Sequence, residues 1–298
     1  RLNMRLLAPA LVRLFGLLLC AAANSAQAHD STAYYMANEG LMVVHGETKI
    51  LFDPLFRESY GQYLLLPEAM EQALYAGAPP FDGIDAVFIS HHHGDHFSPA
   101  DILRLLKLRP GIHLYAPNQA VMALRGVAGA GDDAVFDRVT AVDLAYKDAP
   151  VTLEMKGLLI EAVRIPHSGW PSGRVDIENI AWRVTLNGTT TVLHMGDADP
   201  NDVHFARDAS YWEKNPPQMA FPPYWFFSSA SGREILQDRI KPARSVGVHV
   251  PASIPADPVL RVSHTPLQRH TSWTRPPPRT SSDCQLPRGR RLPPRPPR

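Results

Sequence analysis

Residues 89–99 read ISHHHGDHFSP, which places four histidines and an aspartate within the six positions His91 to His96. Neighbouring imidazoles compete for solvation and disfavour each other's protonation. Such a cluster is a metal site, a proton relay or an accident of composition. On an extended backbone, successive side chains alternate between faces. His91 and His93 then converge on one ion while His92 points away. Gly94 is expected to let the chain turn sharply, and Asp95 and His96 would then reach a second ion. Catalytic zinc takes three protein ligands and leaves one position for water, so the loop alone is not enough. Candidates to complete it stand at expected strand ends elsewhere: His167 in RIPHSGW, Asp197 in VLHMGDADP and His249 in VGVHVP. Thiolate ligation is excluded from the body of the chain, because Cys20 lies in an N-terminal apolar segment and Cys284 near the C-terminus.

The elements that must position these residues are legible as short apolar runs. GLMVVHGETKILFDP (40–54) reads as a hairpin turning at Gly46, and DAVFIS (85–90) as a buried strand ending at the cluster. FSPADILRLLKLRPG (97–111) reads as a helix with Ser98 as N-cap, Pro99 in the first turn and Asp101 completing a capping box. Further strands are expected at 112–117, 158–165, 180–186, 190–196, 218–223 and 245–250, with Asn187-Gly188 as a hairpin turn and a short helix at 232–240. The histidine loop thus joins a strand to a capped helix, where functional groups concentrate. Strands with interspersed helices and no repeat predict an α/β (α+β) layered sandwich in one domain.

Both ends differ from this body. Arg5 and Arg13, an apolar run from Leu14 to Ala23 and Ala26-Gln27-Ala28 form a secretory signal pattern, with cleavage expected after Ala28. The apolar run is too short to cross ~30 Å of hydrocarbon, so the membrane is expected to be met only transiently, during export to the periplasm or medium. Residues 261–298 hold nine Arg and nine Pro with a single acid, Asp283, and cannot bury enough apolar surface to fold. The expected organisation is signal peptide 1–28, a single folded domain 29–258 and a Pro/Arg-rich tail 259–298. Residues 29–260 contain 18 Lys and Arg against 28 Asp and Glu, a net charge of 18 − 28 = −10, which the overall +1 conceals. An acidic body argues against a polyanionic substrate and against nucleic acid as a partner, because these need basic surfaces.

The set His91, His93, Asp95, His96, His167, Asp197 and His249 resembles the metal site of the metallo-β-lactamase superfamily of metal-dependent hydrolases. The likeness extends over roughly residues 35–255. It implies a four-layer αββα sandwich with two zinc ions at one edge, manganese or iron being alternatives. By this resemblance His91, His93 and His167 hold one ion, Asp95, His96 and His249 hold the other, and Asp197 bridges them. Iron-dependent relatives that reduce oxygen have Glu where His93 stands, which favours zinc. The implied reaction is hydrolysis, in which a metal-activated hydroxide attacks a carbonyl or phosphoryl centre and Asp95 handles a proton. Asp53 in FDP, His92 and His194 are expected to support the ligands from behind.

Within the superfamily the pattern NEG…FDPLF…SHHHGDH…PHSG…GD…H looks closest to the group containing ascorbate-phosphate lactonase and N-acyl-phosphatidylethanolamine phospholipase. That implies a small-molecule ester, lactone or phosphodiester substrate. The aromatic stretch 211–232, together with HSGWPSG, offers Trp170, Trp212, Tyr224, Trp225 and Phe226 as pocket walls suited to an acyl or apolar group. A periplasmic β-lactamase and a non-catalytic zinc-binding protein are the alternatives. Against the latter, a structural zinc site closes with four ligands, and this set has seven. Nothing in the sequence specifies an oligomeric state.

Overall fold

Turn chemistry starts both sheets. The chain reverses at Gly46 (φ 60°) between β2 (Gly40–His45) and β3 (Thr48–Phe52), behind β1 (Ser31–Ala37). In the second half it reverses at Asn187 (φ 49°) and Gly188 (φ 68°), the two positive φ values that a type I′ hairpin requires. The computed structural model describes residues 31–253 and 270–273. The expected signal peptide, 1–28, lies outside them, as does most of the 259–298 tail.

After the first hairpin come α1 (Glu68–Ala76), β4 (Ile84–Phe88), α2 (Pro99–Leu108), β5 (His113–Pro117), α3 (Asn118–Val127), a 3-10 turn (Asp133–Arg138) and β6 (Val139–Val142). The second half contributes β7 (Val151–Met155), β8 (Leu158–Arg164), β9 (Ile180–Leu186), β10 (Thr190–His194), α4 (Val203–Ala206), α5 (Ala209–Lys214) and β11 (Met219–Phe221). It ends with α6 (Trp225–Ser228), α7 (Ala230–Glu234), a π-helical turn (Ile235–Ile240), β12 (Arg244–Ser245) and β13 (His270–Trp273). One sheet has the order β13-β1-β2-β3-β4-β5-β6 and the other β12-β11-β10-β9-β8-β7. The pairs β3-β4, β4-β5 and β5-β6 are parallel, as are β10-β11 and β11-β12. The strand β13, inside the segment expected to form a tail, pairs antiparallel with β1. No helix among the described residues is long and apolar enough to cross a membrane.

Period-two alternation sorts the apolar residues into layers. Ile50, Phe52, Phe88, Trp182 and Val184 meet between the sheets. Leu51 and Val87 point the other way, against Leu74, Ile102 and Leu124 of the first three helices. Ala181, Leu193 and Ala220 pack outward against Phe205, Trp212 and Phe226 of the short helices on the opposite side. The result is the expected αββα sandwich. Strands covered on both faces are apolar throughout, which explains why β9 and β10 are fully buried along their length.

Two local expectations change. Ser98 stands at the N-cap of α2, but its hydroxyl accepts no backbone N–H; it donates to the Asp101 carboxylate. Asp101 also accepts from Tyr75 Oη (3.0 Å) and, bidentately, from Arg57. The capping-box residues therefore tie three segments together instead of closing one helix end. The expected last strand, 245–250, shrinks to Arg244–Ser245 and one bridge between Pro223 and Val248.

A buried ion pair was not legible in the sequence. Arg183 projects from β9 into the helix layer, is fully buried, and meets Glu161 of β8 through Nε (2.8 Å) and Nη2 (2.6 Å). Its Nη1 donates to the Tyr211 carbonyl at 2.7 Å, and the guanidinium lies 3.8 Å from the Tyr211 ring centroid. Removing one member of a buried pair leaves the other charge uncompensated. Arg183→Met should destabilise by about 3–5 kcal/mol in a urea titration, and adding Glu161→Leu should recover part of that. A loss below about 1 kcal/mol, the size of an exposed pair, would mean that the pair is solvated.

Candidate metal centre

The loop after β4 is built from backbone bonds before any ligand is considered. Ser90 O accepts from Ile180 N (2.9 Å), and Trp182 Nε1 donates to Ile89 O (2.9 Å), which ties the strand end to the other sheet. His96 N and Phe97 N both donate to His93 O, and Ser98 N donates to Leu55 O. Gly94 does not take the positive φ that a sharp turn would need. Its role is close approach: an added Cβ would stand 2.6 Å from Glu58 Cγ, while Gly94 O accepts from Arg57 N and Glu58 N.

On this frame His91 Nε2 and His93 Nδ1 lie 3.1 Å apart. With His167 and Asp197 they form one group of donor atoms lying within 4.8 Å of one another. Asp95, His96 and His249 form a second such group. Asp197 stands between the two. Its Oδ2 is 3.1 Å from His167 Nε2, and its Oδ1 is 3.4 Å from His96 Nε2 and 3.2 Å from His249 Nε2. Asp95 Oδ2 is 3.2 Å from His249 Nε2. His167 follows β8, Asp197 follows β10 and His249 follows the bridge at Val248, so three strand ends bring remote residues to the loop.

The imidazoles are oriented from behind. Ser90 Oγ donates to Asp53 Oδ2 (2.6 Å) and so is free to accept from His91 Nδ1 (3.0 Å). His96 Nδ1 donates to Asp53 Oδ2 (2.9 Å), and His167 Nδ1 to the Ser168 carbonyl (2.9 Å). In each ring the Nδ1 proton is committed, which leaves the Nε2 lone pair facing inward. Buried His96 Nε2, His167 Nε2, His249 Nε2 and Asp197 Oδ1 have no hydrogen-bond partner. Buried polar atoms are normally paired. Nitrogen and carboxylate donors left facing one another fit divalent ions of the zinc type.

Charge states agree with this fit. Burial, reinforced by His96 and the other neighbouring imidazoles, holds His91 well below the ordinary histidine range. Burial likewise brings His93 down to about 4, helped by His167 and His96. Both are neutral, as ligands must be. Burial would push Asp197 up, but His249 and His96 outweigh it and hold the carboxylate well below its usual range. Burial also opposes charge on His96, yet Asp197, Asp53 and Asp95 together push it well above the ordinary value.

Of the expected supporting residues, Asp53 sits behind the loop at φ 40°, accepting also from Ser90 N at 2.7 Å. His92 stays outside both donor groups, its ring centroid 5.5 Å from that of His93. His194 stacks on Phe52 at 4.9 Å and approaches Glu39 through Nε2 (3.1 Å to O, 3.3 Å to Oε2) rather than any of the seven residues. Sequence reasoning missed the β1–β2 turn. Asn38 Nδ2 donates to Asp95 O (3.0 Å), Asn38 O accepts from His249 N (3.3 Å), and Glu39 is fully buried with neither carboxylate oxygen hydrogen-bonded, His194 Nε2 and His96 Nδ1 being the nearest nitrogens to Oε2. Burial pushes the Glu39 carboxyl well above its usual range. The only signal was two polar residues between strands, which any turn shows.

A cleft of about 520 Å³ opens over the centre, and besides the ligands it is lined by Tyr60, Gln62, Tyr63, Ser168, Arg174 and Trp225. Only Trp225 of the expected pocket aromatics is among them. Trp212 and Phe226 belong to the core against the second sheet, because α5 and α6 turn those rings inward. Trp170 packs edge-on against His204 at 4.8 Å, and Tyr224 packs edge-on against Trp225 at 5.5 Å; neither lines the cleft. Tyr60 and Tyr63 come instead from the segment hydrogen-bonded over Gly94.

Comparisons with known proteins agree with this geometry. The sequence profile of the Beta-lactamase superfamily domain matches residues 48–210, more than half of the chain. A metallo hydrolase from the hyperthermophilic archaeon Ignicoccus hospitalis KIN4/I superposes with a TM-score of 0.51 at 18% identity, over 78% of this chain and 86% of that one. A possible metal-dependent hydrolase from Veillonella parvula DSM 2008 gives 0.50 at 14% identity, over 74% and 86%. The isothiocyanate hydrolase from Delia radicum gut bacteria gives 0.50 at 15% identity, over 74% and 85%. At these identities the likeness is one of fold. No curated protein matches.

Asp53 receives three donors from the metal loop, so Asp53→Asn sets an amide N–H against at least one of them. Zinc affinity, measured by competition with a chromogenic chelator, should fall about 10–100-fold, as it does when a group behind a ligand is lost. Unchanged affinity in a folded variant would remove Asp53 from the centre.

Proposed function

The chain belongs to the family of the Beta-lactamase superfamily domain, and from that premise we propose that it is a hydrolase using two divalent ions, zinc foremost. Its substrate in this reading is a small molecule with an ester, lactone or phosphodiester bond. The observation that carries the reading is the division of Asp197, with Oδ2 toward His167 and Oδ1 toward His96 and His249. In this reading His91, His93 and His167 would hold one ion and Asp95, His96 and His249 the other, with Asp197 available to both. Ions held there would supply Lewis acidity and make a water more acidic.

The chain's own groups account for the rest. Asp95 lines the cleft, and its carboxylate is held low because His249 and His96 outweigh the effect of burial. It is therefore ionised and able to accept a proton from the attacking water. Tyr63, its phenol pushed up to about 12 chiefly by burial, stays protonated and lies edge-on to the His249 ring at 4.2 Å. Its hydroxyl is a donor for charge developing on the substrate. Trp225, which donates to Ala198 O at 2.9 Å, gives the cleft a fixed apolar wall. Export belongs to the same proposal and is supported by the Arg5 to Ala28 pattern.

The test is a panel of 4-nitrophenyl esters, bis(4-nitrophenyl) phosphate, lactones and nitrocefin, run with added zinc and with chelator. Turnover of an ester, lactone or phosphodiester should vanish with chelator and return with zinc. His93→Ala and Asp197→Ala should each abolish it and lower the bound metal. Full activity with unchanged metal stoichiometry in either variant would refute the assignment. Turnover of nitrocefin alone would make the protein a β-lactamase, and two bound metals with no turnover would favour a binding protein.

A further inference from the structure

The cleft has unlike walls. The segment 60–63 contributes the neutral groups Tyr60, Gln62 and Tyr63; the segment after His167 contributes Ser168 and Arg174. Arg174 is the only Lys or Arg among the lining residues. Among the described residues its guanidinium makes no hydrogen bond or ion pair, although most arginines in the body are engaged, such as Arg57 with Asp101 and Arg239 with Asp202. No ion pair among the described residues joins it to Asp176 or Glu178 of the same loop, and Glu178 accepts from Gln119 N at 2.9 Å.

The loop that holds Arg174 is pinned at both ends. Ser168 N donates to Asp197 O (2.7 Å), Gly169 N to Asp199 Oδ2 (3.2 Å), and Gly173 N to Gly169 O (2.9 Å). At the far end Gln119 Nε2 donates to Asp176 O (2.8 Å), and Glu178 N donates to Gln119 Oε1 (2.9 Å). Arg174 itself sits at φ 55°, held by the bond from Ile177 N to its carbonyl. A bulky residue rarely adopts that conformation unless the surroundings impose it.

We propose that Arg174, on the rim of the cleft, is a specificity-determining residue that selects substrates bearing a single carboxylate. The inference rests on the hydrolase reading of the centre. A guanidinium presents paired N–H donors matched to a carboxylate, and one such group serves one anion. The net −10 of residues 29–260 (18 − 28) repels anions at long range. Apart from the ions of the proposed centre, Arg174 is the cation that the cleft offers an anionic substrate, and polyanions are disfavoured. The apolar face of Trp225 and the phenols of Tyr60 and Tyr63 leave the rest of the substrate compact and uncharged.

Two pairs, each an anion and a neutral counterpart, test this on the zinc-loaded full chain. In kinetics, 4-nitrophenyl hydrogen glutarate is compared with 4-nitrophenyl butyrate. In calorimetry, 4-nitrobenzoate is compared with 4-nitrobenzamide, a readout that needs no turnover. In each pair the wild type should prefer the anion by about tenfold, the worth of one charge-assisted contact. Arg174→Ala should lower kcat/KM or affinity for the anion about tenfold more than for the neutral partner, Arg174→Lys should retain part of the preference, and Arg174→Glu should reverse it. Equal losses on both members of each pair, or no loss, would overturn the proposal, as would a wild type that prefers the neutral compounds. If the nitrobenzoate preference depends on Arg174 while no member of the wider ester, lactone and phosphodiester panel is turned over, the hydrolase reading fails and the anion site stands.

Discussion

A carboxylate removed from water is costly unless opposite charge or hydrogen bonds meet it, and this protein buries Glu39, Asp53, Asp95 and Asp197 around one set of histidines. The working end of the molecule follows from how each is compensated. Asp53 is satisfied by Ser90 and His96. Asp95 and Asp197 share His96 and His249. Glu39, with neither oxygen hydrogen-bonded, has its carboxyl pushed up by burial. The imidazoles divide accordingly. His91 and His93, crowded by other rings, are driven neutral, while His96, faced by three carboxylates, is driven toward charge. Divalent ions between the two donor groups would relieve both conditions, since they supply the positive charge and require neutral imidazoles.

The sandwich makes this arrangement affordable in packing terms. Its central strands are covered on both faces, chiefly by apolar side chains, so packing on each side holds their ends in place. Asp197 shows how close the tolerances are. It follows Gly196 (φ 52°), where an added Cβ would stand 2.4 Å from Asn179 Oδ1 and 2.6 Å from Ser90 Cβ. That contact sets the β10 end against the metal loop, and Asn179 Oδ1 also accepts from Asp197 N at 3.0 Å. A side chain at 196 would separate Asp197 from the residues it must join.

Local features of the centre were legible because they are written in consecutive residues. His91, His93, Asp95 and His96 occupy one loop, and strand alternation alone separates His92 from its neighbours. His167, Asp197 and His249 were recognisable as single polar residues at the ends of apolar runs. The pocket walls were not legible. In the stretch 211–232 the aromatic residues are nearly continuous, so no periodicity tells which ring faces the core. The short helices α5 and α6 decide it by turning Trp212 and Phe226 inward. Arg183 and Glu161 likewise occupy ordinary alternating positions in β9 and β8, and only the pairing of those strands brings them together. Glu39 sits in a turn, where acidic residues are common, and its burial comes from the second sheet closing over it through His194.

The two segments that line the cleft beside the ligands are not free loops. Residues 57–58 are hydrogen-bonded to Gly94 O within the metal loop, and Gln62 O accepts from Ala252 N, three residues beyond His249. Ser168 N is bonded to the carbonyl of Asp197, and His167 bridges to Ala198. Each wall is therefore anchored to the backbone of the residues that make up the centre. A wall fixed in this way adds little ordering cost when a substrate arrives, so differences in binding fall on side chains such as Tyr63 and Arg174 rather than on loop closure. The same anchoring means that a shift of the metal loop moves the wall with it. Ligand geometry and substrate selection are consequently set by one connected piece of backbone rather than by two separable modules.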